Sequence, residues 1–303
     1  MTYQHLIDTA TAIGCGVTLQ APMSAATTFK VGGPADLLID LPDAAAVSAV
    51  LKICRAEEIP YLFIGNGSNL VVGDKGFRGA VLRLESRSVQ PTLQEDGTIY
   101  APAGMSLQRL CLFARDHSLT GMEFAYGIPG TVGGAVYMNA GAYDGEMVNV
   151  TLSADCVAAD GTLCTLSAEE LGMTYRHTAL MERDLIVVGV TLRLEAGDKD
   201  AIWAKMKDLM ARRHEKQPLE YPSAGSFFKR PEGYFAGKLV QDAGLKGFTV
   251  GGAQVSEKHA GFVINRGGAT AADLVALRDQ VHDKVFAEFG VHLEPEVRFV
   301  GEF

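Results

Sequence analysis

The sequence predicts an α+β fold in three parts, and the order of its local patterns supports this prediction. Residues 35–84 combine strand-like apolar runs with one helical pattern, which indicates a small α/β unit. Residues 98–195 are richer in strand patterns. After a helix that starts near residue 198, the remaining elements follow a βαββαβ order. We therefore expect three lobes, over residues 1–84, 85–197 and 198–303.

The first lobe contains one well-marked helix. Apolar residues recur at helical spacing between residues 43 and 58, and Asp43 is a suitable N-cap. Pro60 ends this helix, and the apolar run Tyr61–Ile64 predicts a buried strand. A glycine-containing loop over residues 65–69 follows and leads into a second strand-like run, Leu70–Val72.

The second lobe is dominated by strand patterns. A short helix is predicted to begin at Ser106. The turn signal at residues 159–161 predicts a hairpin over residues 150–166. Ser167 fits a capping box for one short helical turn. The apolar run over residues 185–194 predicts a long strand.

The third lobe begins with a helix over residues 198–216, whose apolar residues share one face and whose end is basic. The elements predicted after this helix are a strand at 225–229, a helix at 234–243, strands at 248–254 and 261–265, a helix at 271–289 and a strand at 293–300.

The composition excludes some classes of function. The fractions of hydrophobic residues (48%) and charged residues (21%) are ordinary for a globular protein. A net charge of −9 argues against nonspecific binding of nucleic acid. No apolar run approaches the roughly 20 residues that span a bilayer, and the N-terminal residues lack the pattern of a signal peptide. We therefore expect neither a nucleic-acid nor a membrane partner.

The five cysteines indicate a reducing compartment. Their number is odd and they share no metal-like spacing, so we predict reduced, mostly packed thiols in the cytoplasm and no metal site. Cys156 and Cys164 flank the predicted hairpin turn and can face each other, which leaves a disulfide between them as the less favoured interpretation.

Two uncharged loops rich in glycine point to a ligand. The loop at residues 65–69 and the stretch at residues 126–142 can bring backbone N–H groups close to phosphate. Two such loops favour a long ligand with a diphosphate centre, such as a dinucleotide; the alternative is two tight turns without a ligand. The chain lacks both a P-loop and a strand–G-x-G-x-x-G–helix unit, so this prediction does not depend on a Rossmann fold.

Three polar positions are candidates for chemistry, and each has a structural alternative. Ser226 is approachable, although from local sequence alone an ordinary hydroxyl at a strand start is the favoured interpretation. Arg176 has the planar fork that suits a carboxylate, although from local sequence alone a surface salt bridge is the favoured interpretation. Glu294 and Glu296 lie at strand spacing, and a paired-carboxylate site for glycoside hydrolysis is the less favoured interpretation, because two acids at this spacing are common by chance.

Basic residues cluster around the segment that carries Ser226. They either form a solvated helix end, where positive charge suits the helix dipole, or bind a nucleotide diphosphate. The members of this cluster are Arg212, Arg213, Lys216, Lys229 and Arg230, with Lys238, Gln241 and His259 as weaker candidates.

Several motifs together resemble one enzyme family. The sequences Gly-Asn-Gly-Ser-Asn at residues 65–69, Ile-Pro-Gly-Thr-Val-Gly-Gly at 128–134 and Asn-Ala-Gly at 139–141 are similar to the FAD-binding loops of the UDP-N-acetylenolpyruvoylglucosamine reductases, also called UDP-N-acetylmuramate dehydrogenases. The resemblance covers nearly the whole chain, because it continues at residues 28–34, 175–177, 223–229 and 293–299.

The resemblance implies a two-lobed FAD-binding region of the vanillyl-alcohol-oxidase (PCMH) type followed by a βαββαβ substrate domain. We expect the FAD to be noncovalent, because neither loop contains a His or Cys for a covalent link. The FAD-binding residues that the resemblance implies are Gly65, Asn66, Gly67, Ser68, Asn69, Leu70, Gly127, Ile128, Pro129, Gly130, Thr131, Gly133, Gly134, Asn139, Ala140 and Gly141.

The resemblance also implies an activity. NADPH would reduce FAD, and the reduced flavin would then reduce the enolpyruvyl group of UDP-N-acetylglucosamine enolpyruvate to give UDP-N-acetylmuramate, a peptidoglycan precursor. Arg176 and Glu296 are expected to stabilise the enol-like intermediate, and Ser226 is expected to donate a proton to it. The implied substrate-binding residues are Tyr175, Arg213, Lys216, Lys229 and His259.

The chain has no clear insertion between Leu194 and Lys216, which is similar to the shorter form of this family. We expect a cytoplasmic monomer. Two alternatives stay open: another FAD-dependent oxidase or dehydrogenase with the same FAD-binding fold, and a nonenzymatic flavin or nucleotide binder.

Overall fold

The structure is a computed structural model that describes residues 3–85 and 90–303. Its helices are α1 (Gln4–Ala12), α2 (Ala44–Ala56), α3 (Leu107–Asp116), α4 (Val132–Tyr137), α5 (Ala168–Leu171), α6 (Lys199–Lys216), α7 (Ala236–Asp242) and α8 (Ala271–Phe289).

The strands are mostly short, and together with the helices they confirm the predicted α+β class. They are β1 (Gly16–Pro22), β2 (Pro34–Leu41), β3 (Tyr61–Ile64), β4 (Leu70–Val72), β5 (Phe77–Leu84), β6 (Thr92–Leu93), β7 (Ile99–Pro102), β8 (Leu119–Thr120), β9 (Gly141–Ala142), β10 (Gly145–Glu146), β11 (Thr151–Ala158), β12 (Leu163–Ser167), β13 (Leu185–Leu192), β14 (Glu195–Ala196), β15 (Ser223–Ser226), β16 (Thr249–Val250), β17 (Ala253–Val255), β18 (Phe262–Asn265) and β19 (Arg298–Val300).

The chain forms two compact units from interleaved segments. The first unit consists of Met1–Leu19, Leu37–Asn66 and Gly79–Ala211. The second unit consists of Gln20–Asp36, Gly67–Arg78 and Arg212–Phe303. Each unit has its own buried apolar cluster. The predicted lobe boundaries near residues 84 and 197 stay predictions.

Two sheets organise the first unit. One has the strand order β1-β2-β5-β3, and its β3 and β5 run parallel. The other has the order β12-β11-β13-β7-β6 and is antiparallel. Helix α2 buries Val47, Val50 and Leu51, the residues whose helical spacing predicted it.

Several local signals in the first unit predicted their elements correctly. The Asp43 side chain accepts a hydrogen bond from the Ala46 N–H (2.8 Å) and caps α2. Ser106 caps α3, and Ser167 forms the predicted capping box of α5. Strands β11 and β12 form the predicted hairpin, in which Cys156 lies opposite Cys164 with both thiols free. Burial raises the pKa of the Cys156 thiol to about 12.

The second unit contains the antiparallel sheet β15-β18-β17-β16 with helices α7 and α8. The strand predicted at residues 248–254 forms two short strands, because the chain turns at Gly251, whose φ is +53°. The strand predicted at 293–300 is wrong over its first five residues: only Arg298–Val300 is a strand, and it pairs in parallel with β4.

Among the residues that the structure describes, no helix combines the length and the apolar character needed to cross a membrane.

Candidate active site

In the first unit, the start of the first glycine loop packs against the second glycine loop. The Asn66 side chain donates a hydrogen bond to the Pro129 carbonyl (3.1 Å). A Cβ atom added at Gly65 would lie only 2.3 Å from the Thr131 Oγ1 atom. Glycine is therefore required at residue 65 for the two loops to meet.

Part of the second glycine stretch is helical, which the sequence did not predict. Thr131 caps α4 by accepting a hydrogen bond from the Gly134 N–H (3.3 Å). The Gly133 N–H donates to the Ala103 carbonyl (2.8 Å), so this glycine serves close packing within the protein. By contrast, the N–H groups of Gly130 and Thr131 make no hydrogen bond within the described residues.

In the second unit, the rest of the first glycine loop has a turn that requires glycine. Gly67 has φ +60°, and a Cβ atom there would lie 2.3 Å from the Ala26 carbonyl oxygen. The Gly67 carbonyl accepts a hydrogen bond from the Thr28 N–H (3.3 Å). The N–H groups of Gly67 and Ser68 donate to no acceptor in the described part of the chain.

Each of these loop segments, taken by itself, has features that suit a phosphate group. Uncharged loops with unused backbone N–H groups can bind phosphate oxygens without a lysine. The close approach at Gly65 and the positive φ of Gly67 explain why these positions lack side chains. The residues present therefore match what FAD requires, and the protein would supply backbone donors to its phosphates.

Asn69 connects the glycine loop to the segment that carries Glu296. The Asn69 side chain donates a hydrogen bond to the Glu296 carbonyl (3.1 Å). Its own carbonyl accepts a hydrogen bond from the Arg298 N–H (3.0 Å). The parallel pairing of β4 with β19 begins at the next residue, Leu70. These hydrogen bonds and the β4–β19 pairing hold a loop predicted to bind the cofactor next to a residue predicted to be catalytic.

Ser226 and Glu296 lie on neighbouring backbone segments of the second unit. Ser226 ends β15 and is exposed, and Gly225 before it has φ +77°. The Glu296 N–H donates to the carbonyl of Phe227, the residue after Ser226 (2.9 Å). The Phe227 side chain is buried and forms edge-to-face contacts with Phe228 and other rings, so the hydroxyl follows a rigid aromatic anchor.

Arg176 lies in a tight turn of the first unit. Thr174 and His177 exchange backbone hydrogen bonds, which leaves Tyr175 and Arg176 at the tip of a two-residue loop. Arg176 is half-buried and has φ +53°. Its guanidinium donates to the carbonyls of Asn139 (3.4 Å) and Gly141 (3.3 Å) and lies 5.2 Å from the Tyr175 ring centre. The turn thus brings Tyr175, predicted to bind the substrate, and Arg176, predicted to be catalytic, to the end of the second glycine stretch.

Glu294 differs from Glu296 in its surroundings. Glu294 is exposed, and its carboxylate forms an ion pair with Lys229 (2.5 Å). The two carboxylates do not share a regular strand, because β19 begins only at Arg298. The structure therefore gives the strand-spacing argument for a glycosidase pair no support.

The remaining basic candidates have distinct environments. Arg213 and Lys216 lie in the last turn of α6, and beside them the buried Gln217 side-chain oxygen has no donor among the described residues. The His259 ring is half-buried, and its Nδ1 atom accepts a hydrogen bond from the Gly261 N–H (3.1 Å). Burial lowers the pKa of His259, so its ring is neutral at neutral pH.

Sequence reasoning gave no role to Thr28. Its N–H donates to the Gly67 carbonyl, and its hydroxyl donates to the Ser223 carbonyl (2.7 Å), so it joins the glycine loop to the strand that ends at Ser226. The sequence did contain a signal for a role of Thr28, because this residue begins one of the motifs on which the resemblance depends.

Comparisons with known proteins agree with this geometry. The FAD binding domain family model matches residues 35–167, and the C-terminal domain model of UDP-N-acetylenolpyruvoylglucosamine reductase matches residues 217–300. A UDP-N-acetylenolpyruvoylglucosamine reductase from Agathobacter rectalis is 50% identical over 299 residues, covering 95% of both chains. One from Clostridium botulinum is 49% identical over 93% of this chain and 92% of the relative. The crystal structure of UDP-N-acetylenolpyruvylglucosamine reductase from Thermus caldophilus aligns with a TM-score of 0.79 and 35% identity, covering 94% of this chain and 98% of that chain.

Proposed function

Because the chain belongs to the UDP-N-acetylenolpyruvoylglucosamine reductase family of FAD-dependent enzymes, we propose that it reduces the enolpyruvyl group of UDP-N-acetylglucosamine enolpyruvate. The product would be UDP-N-acetylmuramate, a precursor of peptidoglycan, and the reductant would be NADPH. We also infer that the enzyme works as a cytoplasmic monomer.

The observation that carries this proposal is the neighbourhood of Ser226 and Glu296. The hydrogen bond from the Glu296 N–H to the Phe227 carbonyl holds a hydroxyl and a carboxyl group on adjacent segments of the second unit. Reduction of an enol ether needs both a proton source and a group that stabilises the developing charge. This pair can supply both.

When bound, FAD would supply hydride transfer, taking hydride from NADPH and passing it to the terminal carbon of the enol ether. The residues of the glycine loops would bind and orient the FAD. Addition of hydride leaves an electron pair on the carbon next to the substrate carboxylate, so the intermediate resembles an enolate.

The side chains would act on that intermediate in turn. Arg176 binds the carboxylate through its two terminal nitrogens. Glu296, protonated or hydrogen-bonded, stabilises the enolate oxygen. The Ser226 Oγ atom gives its proton to the carbanion carbon. A serine hydroxyl is a weak acid, so this step requires a strongly basic intermediate and the exclusion of water.

The substrate diphosphate would be bound by basic residues of the second unit. Arg213 and Lys216 are basic residues in the last turn of α6. Lys229 already pairs with Glu294, so it would share its charge between that carboxylate and the substrate. His259, being neutral, would act as a hydrogen-bond donor through Nε2.

An anaerobic absorbance experiment tests the proposal in two half-reactions. NADPH should bleach the flavin band of the purified protein, and UDP-N-acetylglucosamine enolpyruvate should then restore it. In Ser226→Ala we expect normal bleaching but recovery slowed by about 10²- to 10⁴-fold, because the proton donor is lost.

The matched control for this experiment is Ser223→Ala, because it removes a hydroxyl from the same strand. Its recovery should match that of the wild type, since Ser223 accepts the Thr28 hydrogen bond through its backbone carbonyl. A wild-type flavin that bleaches but never recovers would exclude the substrate. Normal recovery in Ser226→Ala would remove the proton-donor role.

A further inference from the structure

The side chain of Asn139 is completely buried in the first unit and fully hydrogen-bonded. Its Nδ2 atom donates to the Glu146 carboxylate (3.0 Å) and to the Thr174 carbonyl (2.9 Å). Its Oδ1 atom accepts a hydrogen bond from the Val148 N–H (2.9 Å). Both amide protons are therefore used and the oxygen already has a donor, so the side chain is not available to a bound ligand.

The bond to Thr174 connects Asn139 to the turn that carries Arg176. Thr174 begins this turn, and its N–H and carbonyl both bond to His177 (3.0 and 3.2 Å). The Arg176 guanidinium returns to the Asn139 carbonyl. Asn139 thus contacts the turn twice, through its side chain at the base and through its backbone at the tip.

A second anchor holds the other side of the same turn. The buried Thr178 hydroxyl donates to the Tyr137 carbonyl at the end of α4 (2.9 Å). The left-handed backbone of Arg176, at φ +53°, is unfavourable for a residue with a side chain, so it needs such support from its surroundings. The anchors explain how this conformation is maintained.

We propose that Asn139 is a positioning residue for Arg176. The inference rests on the proposed function, because it concerns how the carboxylate of the substrate is bound. Without the bond to Thr174, the turn would relax and the guanidinium would leave the place where it meets the carboxylate. A displacement of about 1 Å can reduce a rate by about 10²-fold.

The two half-reactions separate this role from cofactor binding. Arg176 acts only on the enolpyruvyl substrate, so a positioning defect should leave flavin content and bleaching by NADPH unchanged. In Asn139→Gly, which tolerates the backbone φ of +40°, we expect recovery by UDP-N-acetylglucosamine enolpyruvate to slow by about 10- to 100-fold. Slowed bleaching or lost flavin would contradict the proposal and indicate a role at the cofactor.

A double-mutant cycle with Arg176→Lys tests whether Asn139 acts through Arg176. If it does, Asn139→Gly should cost little further recovery rate in the Arg176→Lys background. If the double variant shows the product of the rate losses of the two single variants, the inference is overturned. A wild-type protein whose flavin does not recover would instead reject the proposed function, so the two failures are distinguishable.

Two further variants control for folding and for the neighbouring hairpin. The double change Asn139→Asp with Glu146→Gln reverses the donor and acceptor between these residues and keeps the acceptor for Val148. At Thr174 it replaces the donor with a carboxylate oxygen, which repels the carbonyl. It should show the same slow recovery if Asn139→Gly does not fold, and wild-type recovery in it would reject the proposal. Asn149→Ala loses the exposed bond to the Glu146 N–H and should recover at the wild-type rate.

Discussion

His259 shows how burial changes the part that a single residue can play. The sequence places it among basic candidates for a substrate diphosphate. In the structure its Nδ1 atom accepts a hydrogen bond from Gly261 and its ring packs edge-to-face against Phe262. Burial lowers its pKa, and the positive charge of Lys246 lowers it further. The residue therefore offers a donor at Nε2 and no positive charge at neutral pH.

This lowered pKa predicts a pH-dependent stability. The unfolded chain binds a proton below about pH 6.5, whereas the folded chain resists it, so the stabilisation is present above that pH and is lost as pH falls through the folded-state pKa. His259→Asn keeps an acceptor for Gly261 but cannot titrate. Between about pH 7.5 and pH 5, thermal melting should show a larger drop in midpoint for the wild type than for this variant.

The exposed His214 provides the control for this prediction. Its side chain makes no hydrogen bond within the described residues, so His214→Asn should follow the wild-type pH response. Equal drops in midpoint for the wild type and His259→Asn would contradict the prediction.

The sequence could propose single residues for the site but not their partners. The resemblance named Ser226, Glu296 and Arg176, while local patterns alone favoured ordinary roles for the first and last. The resemblance assigned Asn139 to the cofactor. Nothing in the sequence Asn-Ala-Gly indicates a bond to Thr174, 35 residues later. Such bonds depend on the folded path of the chain, which one sequence does not give.

At the scale of elements, helix starts were predictable and strand partners were not. A cap such as Asp43 bonds within three residues, so its signal is local. The pairing of β4 with β19 joins segments about 230 residues apart. No local pattern indicates that Leu70–Val72 pairs with Arg298–Val300, so the sequence analysis predicted no partner for the last strand.

Helix α8 begins with a cap that comes from a distant loop. The Asp74 carboxylate accepts hydrogen bonds from the N–H groups of Ala271 (2.8 Å) and Ala272 (2.9 Å). Thr270 and Asp273 complete a capping box at the same helix end. The first turn of this 19-residue helix is thus bonded to the segment between β4 and β5.

Removing this cap should destabilise the second unit. Asp74→Ala leaves two helix N–H groups without their acceptor and removes a negative charge from the positive end of the helix dipole. We expect the free energy of unfolding in urea to fall by about 1 to 2 kcal/mol. Asp283→Ala, near the other end of α8, is the control and should change it little. Equal changes in the free energy of unfolding for Asp74→Ala and Asp283→Ala would show that the hydrogen bonds of Asp74 make no specific contribution to stability.

At the scale of the whole molecule, neither unit is a continuous piece of chain. The core of the second unit includes Phe29, Val31 and Val71 together with residues from 224 onward. Sequence patterns identify which residues are apolar, but they do not show which of two cores each one joins. This is why the sequence divided the chain into consecutive lobes, a division that still awaits a test.

A fragment can supply that test. Residues 198–303, the predicted third lobe, lack β4 and the three apolar residues from earlier segments. We expect the isolated fragment to show no cooperative thermal transition and little near-ultraviolet circular dichroism, whereas the full chain shows both. A cooperative transition in the fragment would support the consecutive lobes and contradict this expectation.

The parallel pairing of β4 with β19 also has a consequence for protein synthesis. β4 leaves the ribosome long before β19 is made, and at about 5 to 20 residues per second the delay is roughly 10 to 50 s. During this interval Val71 and Phe29 lack the partners that later bury them. The nascent chain therefore exposes apolar segments until β19 has been synthesised, and in this period chaperone binding competes with aggregation.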